Sequence, residues 1–237
     1  TDDPLGRQPG GALWPWRFDS DALAKIRADL GSYNFDSLYQ QLPRTRSGSH
    51  LRTGWFEIVD DLPALSPVPT DNNNPSGNGH TTAAIPLLHA VRYWDLAATE
   101  VGANTDPDYT VGVLLVENGD KFYVKDLVRT RLSPAGVGEL VKERARLDGR
   151  GIPIVIEQEP GASGVSLVNH YQADLLRGYP VYGIRPTGSK IVRSVPMAAA
   201  AERGAIKLVR GGWNYAFLDE AAEFPLGAHD DQVDALS

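Results

Sequence analysis

The chain has 237 residues, enough for one large domain or for a domain with an appended segment, and a core of that size can fold without disulfides. Its formal net charge of -7 argues against a uniformly basic surface for nucleic acid, although a local basic groove is compatible with it. The absence of cysteine excludes disulfides, thiolate zinc sites and cysteine nucleophiles.

The first residues and the hydropathy of the chain indicate whether it is a secreted, membrane or soluble protein. No signal peptide is recognisable and no apolar run approaches the roughly 18 residues of a membrane span, so we expect a soluble protein. The chain begins at Thr1 and its single methionine is Met197, which suggests a piece of a longer protein.

The composition divides the chain into three parts. Residues 1–60 are predicted to form a small N-terminal appendage with an amphipathic helix in "DALAKIRADL", which Asp19 or Ser20 could cap. Residues 61–84 are rich in Pro, Asn, Gly and Ser and are interpreted as a linker, because such a segment buries too little apolar surface to become ordered. Residues 85–237 are predicted to form one domain of ordinary size.

Three predicted strands open this domain. They lie in "LLHAVRYWDLAA", "YTVGVLLVE" and "VENGDKFYVKDLVRT", and the pair Asn118-Gly119 suits a tight hairpin between the second and third. At least two of these strands should therefore be antiparallel.

Helices and strands alternate after the hairpin. Ser133 and Pro134 are predicted to begin a helix that ends near Asp148, "IPIVIE" a fourth strand, 163–177 a second helix and "PVYGIRP" a fifth strand. A helix over 189–203 interrupted by Pro196, a short hairpin through "GAIKLVRGGW", a helix from Trp213 and a closing acidic segment follow. This order predicts an RNase H-like α/β fold with five strands in a mixed sheet.

Three carboxylates interrupt apolar strand or helix ends. Asp95 ends "AVRYWD", Glu157 ends "IPIVIE", and Asp231 begins the final helix in "FPLGAHDDQVDALS". Taken singly, each is explained by a solvated strand tip or a helix start. In the predicted order, however, the first and fourth strands are parallel neighbours, so Asp95 and Glu157 should emerge side by side where α/β sheets place ligands.

A cluster made of carboxylates favours a hard divalent ion. With no thiols and no histidine pair at ligand spacing, Mg²⁺ or Mn²⁺ is expected rather than zinc. Two ions about 3.5 to 4 Å apart would suit an in-line phosphodiester displacement. Asp95 is the candidate bridging ligand, Glu157 and Asp231 would each complete one ion site, and Asp234 would be a supporting metal ligand or a group that orients the ligands.

Two of these choices stay open. Glu159 shares a strand face with Glu157, but Pro160 follows it, so Glu157 is preferred. Asp230 adjoins Asp231, and the latter is preferred because it shares a helix face with Asp234.

Other charged residues are weaker candidates. Arg185, Lys190 and Arg193 form the most plausible patch for DNA phosphates, with ordinary surface charge as the alternative. Asp108 could support the acids, although a turn before a strand explains it better. His229 could relay protons or act as an outer ligand, with a structural histidine as the alternative.

Five stretches carry a resemblance to a known family: "YWDLA", "DPDYTVGVLLVENGDKFYVKD", "IEQEPGASG", "RPTGSKIVRSVPMAAAAERGAIKLV" and "FLDEAAEFPLGAHDDQVDALS". Together they resemble the C-terminal nuclease domain of the large terminase subunit of tailed bacteriophages, from about residue 85 to 237. The opening "LWPWRFDSDALAKIRADLGSYNFDSLYQQLP" is similar to the segment with which such proteins leave their ATPase domain.

The resemblance implies a function in viral DNA packaging, with this domain cutting concatemeric double-stranded DNA. It implies a metal-dependent RNase H-like site at Asp95, Glu157 and Asp231 with two Mg²⁺ or Mn²⁺ ions. It also implies the small terminase subunit and the portal as partners, and the host-cell cytoplasm during virion assembly as the location. No G-x-x-x-x-G-K-[ST] motif occurs in the chain, so we expect no ATPase activity.

Three other functions remain compatible with the residues. A junction resolvase would use the same kind of acidic site but prefer branched DNA. A docking module would hold DNA or a portal partner while the acids bind a structural ion. A carbohydrate hydrolase would use two carboxylates and would work without metal.

Overall fold

The computed structural model describes residue 6 and residues 11–41, 50–63, 89–97 and 108–237. Its helices are α1 (Ser20–Tyr39), α2 (Pro134–Asp148), α3 (Ala162–His170), α4 (Lys190–Glu202), α5 (Asn214–Glu223) and α6 (Asp231–Leu236). Its strands are β1 (Glu57–Val59), β2 (His89–Asp95), β3 (Thr110–Asn118), β4 (Lys121–Thr130), β5 (Ile154–Glu157), β6 (Val181–Ile184) and β7 (Ile206–Val209).

The strands form one mixed sheet in the order β1-β7-β4-β3-β2-β5-β6. β3 is antiparallel to both β2 and β4, and the remaining neighbours are parallel. The predicted mixed α/β sheet is therefore confirmed, and β2 and β5 are parallel neighbours as the strand order predicts. Within the described residues the sheet has seven strands rather than five, because β1 and β7 add a parallel extension beyond β4.

The predicted hairpin through "GAIKLVRGGW" is wrong. Only Ile206–Val209 is a strand, and it lies between β4 and β1, so no returning strand can pair with it. The glycines that suggested a turn lead into α5 instead, where the Asn214 side chain accepts a hydrogen bond from the Gly211 amide (2.7 Å). Parallel pairing over such a distance in the sequence leaves no local signal.

The first strand comes from the predicted appendage. Residues 57–59 pair with 207–209, and the nearby Leu51 and Phe56 are buried in the main hydrophobic cluster. Most of the predicted linker 61–84 lies outside the described residues. The division into three parts stays a prediction, but part of the appendage belongs to the sheet.

Local signals at several element ends are confirmed. Asp19 caps α1 by accepting from the Ala22 amide (2.7 Å), and Ser133 caps α2 by accepting from the Gly136 amide (3.3 Å). The predicted hairpin joins β3 and β4, but its two turn residues are Gly119 and Asp120, one residue later than the Asn118-Gly119 pair, and Gly119 has a φ of 64° that favours glycine. The helix predicted over 163–177 is α-helical only to His170 and continues as a π-helical turn, Tyr171–Leu175.

Pro196 lies inside α4 and does not break it, unlike the predicted interruption. Because proline has no amide hydrogen, the helix lacks one hydrogen bond at this position. The packing of α4 against both α1 and α6 compensates for that loss. Among the residues that the structure covers, no helix is both long and apolar enough to cross a membrane.

The helices cover both faces of the sheet. One face carries the main cluster, where β3, β4 and β7 pack against α4, α5 and α6. The other face packs against α2 and α3 through Trp94 and Ile156. Since successive strand residues point to opposite faces, Tyr93 and Asp95 lie on the α6 side while Arg92 and Trp94 lie on the α2 side.

Candidate metal and nucleic-acid site

Asp95 and Glu157 meet at the carboxyl edge of the sheet. Tyr93 pairs with Val155 and Trp94 with Ile156, so the last residues of β2 and β5 are neighbours in register. Side chains at equivalent positions of parallel strands share a face, which directs both carboxylates to the side covered by α6. Glu159 lies two residues beyond the end of β5 and is exposed.

Helix α6 brings two more acids to the same edge. It contacts both β2 and β3, and its Asp231 and Asp234 are buried. Burial raises the pKa of Asp95 to about 7, with further contributions from the charges of Glu157, Asp234 and Asp231 in decreasing order. The four carboxylates are therefore close enough to repel one another, and a bound cation would relieve that repulsion.

Asp234 already has two cationic neighbours from the first turn of α4. Arg193 Nη2 donates a short hydrogen bond to Asp234 Oδ1, and Lys190 Nζ lies 3.6 Å from Asp234 Oδ2. Lys190 also donates to Asp230 Oδ1 (2.7 Å). Burial alone would lower the pKa of Lys190, but the hydrogen bond to Asp230 outweighs burial, and the pKa is raised above its ordinary value. Two of the three predicted DNA-contacting residues thus lie directly against the acids.

The third predicted DNA-contacting residue, Arg185, approaches the site from the β6 side. It is exposed, and its Nε and Nη2 lie 2.9 Å from the Gln158 side-chain oxygen when that amide is turned by 180°, the orientation in which the amide oxygen accepts from the guanidinium. Because Gln158 directly follows Glu157, the guanidinium lies near the same edge of the sheet. All three basic residues are consequently placed around one acidic site.

Asp231 faces a second group of ligand-type side chains. One ligand atom from each of Asp108, His229 and Asp231 lies within 4.8 Å of the other two. Asp231 Oδ2 is buried and has no hydrogen-bond partner within the part of the chain that the structure describes. Burial raises the pKa of Asp231, with added repulsion from Asp108 and Glu220.

Asp108 and His229, which the sequence favours as a turn residue and a structural histidine, both lie beside Asp231. His229 Nδ1 is 3.7 Å from Asp231 Oδ2, and its Nε2 is 3.4 Å from Arg131 Nη2. The sequence gives no signal for this grouping, because it depends on the contact between α6 and β3.

A buried glutamate holds α6 in place. Glu220 of α5 accepts hydrogen bonds from the backbone amides of Gln232 (2.6 Å) and Val233 (3.0 Å) and from the Gln232 side chain (2.7 Å). These amides belong to the first turn of α6, where helix donors lack partners within the helix. Sequence reasoning missed Glu220, because nothing in "FLDEAAE" distinguishes it from its acidic neighbours.

Tyr93 was also missed. Its hydroxyl donates a 2.6 Å hydrogen bond to Glu157 Oε2 across the β2–β5 pair. From the sequence, an aromatic residue in an apolar strand is expected to pack in the core. The contact of its hydroxyl with Glu157 depends on the register of β2 and β5, which the sequence does not show.

The mixed sheet and the acids at its carboxyl edge define an RNase H-like domain. A family model described as the terminase RNase H-like domain matches residues 92–237, more than half of the chain. The chain therefore belongs to the terminase RNase H-like domain family. The resemblance inferred from the sequence and the RNase H-like fold class are both confirmed.

Three solved terminase structures are similar to this chain. A large terminase from a thermophilic bacteriophage matches with a TM-score of 0.52 and 8% identity, covering 85% of this chain and 43% of that protein. The large terminase nuclease from the thermophilic phage G20c, with bound zinc, has a TM-score of 0.47 and 17% identity, covering 64% of this chain and 79% of that one. The human cytomegalovirus terminase nuclease domain, manganese-soaked and inhibitor-bound, has a TM-score of 0.45 and 11% identity, with coverages of 62% and 79%. A search of curated proteins found no match.

Proposed function

We propose that this chain is a metal-dependent endonuclease that cuts concatemeric viral DNA during genome packaging. The observation that carries the proposal is the gathering of Asp95, Glu157, Asp231 and Asp234 at one sheet edge, where burial and mutual repulsion raise the pKa of Asp95 to about 7. Without a bound cation, the repulsion among these carboxylates would destabilise the fold, because buried charge that is not compensated is unfavourable.

The donor set fits hard divalent cations. Carboxylate oxygens are the ligands that Mg²⁺ and Mn²⁺ prefer, and Asp231 Oδ2 is a buried oxygen for which the described residues supply no hydrogen bond. Asp95 would bridge two ions, while Glu157 and Asp231 would each complete one site. When bound, two such ions supply an activated water and stabilise the leaving oxygen of the phosphodiester.

Asp234 is proposed to support the site without binding an ion directly. Because Arg193 and Lys190 already neutralise it, Asp234 supports the site by orienting these two cations. Held in this way beside Asp95, the cations are suited to the phosphates that flank the scissile bond. Arg185, on the other side of Glu157, would contact the backbone further along the duplex.

The wider setting follows from the family. Double-stranded DNA is the proposed substrate, the small terminase subunit and the portal are the proposed partners, and the host-cell cytoplasm is the proposed location. The sequence contains no phosphate-binding loop of the ATPase type, so cutting rather than translocation is the proposed activity.

The test is cleavage of supercoiled plasmid by the native chain and by Asp95→Asn, in Mn²⁺, Mg²⁺ or EDTA. We expect nicked and linear products only with the native chain and metal. Asp120→Asn is a matched control, because Asp120 lies in the β3–β4 turn with its side chain 87% exposed. If Asp95→Asn cuts like the native chain, or if EDTA has no effect, the proposal is wrong. Comparing branched with linear DNA separates a junction resolvase from this enzyme.

A further inference from the structure

We infer that Tyr93 is a positioning residue for the proposed metal site, holding the Glu157 carboxylate in the orientation that receives a divalent ion. The inference rests on the proposed function. The hydrogen bond from Tyr93 Oη to Glu157 Oε2, at 2.6 Å, is the contact that carries it.

The sheet register explains why this contact forms. Tyr93 lies two residues before Asp95 on β2, and its partner Val155 lies two residues before Glu157 on β5. The period of two puts all three polar side chains on one face, and the phenol spans diagonally from its own strand to the next. Tyr93 therefore lies on the same face as Asp95 and Glu157, two residues further from the carboxyl edge of the sheet, and its hydroxyl reaches the Glu157 carboxylate from the interior side.

The chemistry of the contact favours ion binding at the other oxygen. A carboxylate can only accept, so the phenol donates, and a length of 2.6 Å is typical of a charge-assisted O–H···O⁻ bond. The bond engages Oε2 and leaves Oε1 for a cation. A free glutamate side chain loses conformational entropy when it binds an ion. Because the hydrogen bond already restricts the Glu157 rotamer, less entropy is lost when the ion binds.

A purely structural function for Tyr93 predicts something different. The ring packs against the main hydrophobic cluster, and a phenylalanine would keep that packing while removing only the hydroxyl. If Tyr93 only fills space, Tyr93→Phe should bind metal like the native chain. If it positions Glu157, metal binding should weaken although the fold is retained.

The test is calorimetric titration of Mn²⁺ into the native chain, Tyr93→Phe, Glu157→Gln and the double variant. We expect Tyr93→Phe to raise the Kd for Mn²⁺ about 10-fold to 100-fold, the range for groups that orient metal ligands. In EDTA it should still unfold in one cooperative transition, at a somewhat lower melting temperature because one hydrogen bond is lost. The double variant should bind no more weakly than Glu157→Gln, because the hydroxyl acts through that carboxylate. Tyr182→Phe, on the exposed face of the edge strand β6, is the matched control.

A second readout uses the tyrosine itself. Mg²⁺ should produce a near-ultraviolet tyrosine difference spectrum in the native chain that is lost in Tyr93→Phe and kept in Tyr182→Phe. Native Mn²⁺ affinity in Tyr93→Phe would overturn the inference. If the native chain cuts DNA with metal, Asp95→Asn does not, and Tyr93→Phe binds Mn²⁺ normally, then this inference alone is wrong. If the native chain neither binds Mn²⁺ nor cuts, the proposed function is wrong as well.

Discussion

Asp95 is held in a setting that disfavours its charged form. Its folded-state pKa of about 7 lies above the ordinary value of 3.8, chiefly because of burial and the neighbouring Glu157. Between these two values the folded chain binds more protons than the unfolded chain. The contribution of Asp95 to the free energy of unfolding is therefore most favourable at low pH and falls as the pH rises through 7.

Replacing Asp95 by Asn should accordingly stabilise the metal-free protein at neutral pH. In EDTA, we expect the melting temperature of Asp95→Asn to exceed the native value by several degrees at pH 8, and the difference to shrink at pH 5. Thermal unfolding followed by circular dichroism measures both. Equal melting temperatures at pH 8 would contradict the electrostatic interpretation of the site.

The two cations beside Asp234 should behave differently when removed. The Asp234 side chain is 4% exposed, so loss of Arg193 leaves a buried acid without its main partner, and Arg193→Ala should cost about 3 kcal/mol. Lys190 is half exposed, so Lys190→Ala should cost less than about 1 kcal/mol and should chiefly weaken DNA binding. Urea unfolding and salt-dependent DNA affinity separate the two effects. Equal destabilisation by both substitutions would contradict this account.

At the scale of elements, the site depends on how α6 is attached. α6 has only six residues, too few to be stable alone, and its first-turn amides are bound by Glu220 of α5. Three hydrogen bonds to one buried carboxylate therefore determine where Asp231 and Asp234 lie. The acids of the site are positioned by a glutamate that would not itself contact the metal.

Substitution of Glu220 should disturb the site from a distance. Glu220→Ala leaves a buried cavity and removes the partner of the α6 amides, and we expect a loss of about 3 kcal/mol together with weaker Mn²⁺ binding. Asp219→Asn is a control on the same helix. Chemical denaturation and calorimetry measure the two effects, and native Mn²⁺ affinity in a folded Glu220→Ala variant would contradict the attachment model.

At the scale of the whole molecule, the chain before the linker is part of the same folded unit. Phe56 packs edge to face on Phe217 of α5, with ring centroids 5.3 Å apart, and β1 extends the sheet beyond β7. α1 lies against α4, where the Ser32 amide donates to Glu202 (2.8 Å). The RNase H-like fold is therefore supported by residues on both sides of the predicted linker.

Removing this support should destabilise the fold well away from the acids. Phe56→Ala should lower the free energy of unfolding by about 3 to 5 kcal/mol, the usual cost of deleting a buried phenylalanine. Trp16→Ala, at a position 83% exposed, should change it little. Urea denaturation checks both values. A Phe56→Ala variant as stable as the native chain would show that the appendage is dispensable for the fold.

The features that could be predicted from the amino-acid sequence are local ones. Helix caps, the hairpin between β3 and β4 and the periods of the strands depend on residues close together in the sequence, so the α/β class and most of the element order were predictable. Asp95 and Glu157 were recognisable for the same reason, since each stands at the end of its own apolar strand.

The features that required the folded chain join residues far apart in the sequence. Arg193 and Asp234 are 41 residues apart, and Tyr93 and Glu157 are 64 apart, yet each pair is hydrogen-bonded. These partners depend on strand register and on how helices pack, which no local pattern encodes. The same reason explains the missed β1–β7 pairing, because these parallel neighbours are about 150 residues apart in the sequence and no local turn joins them.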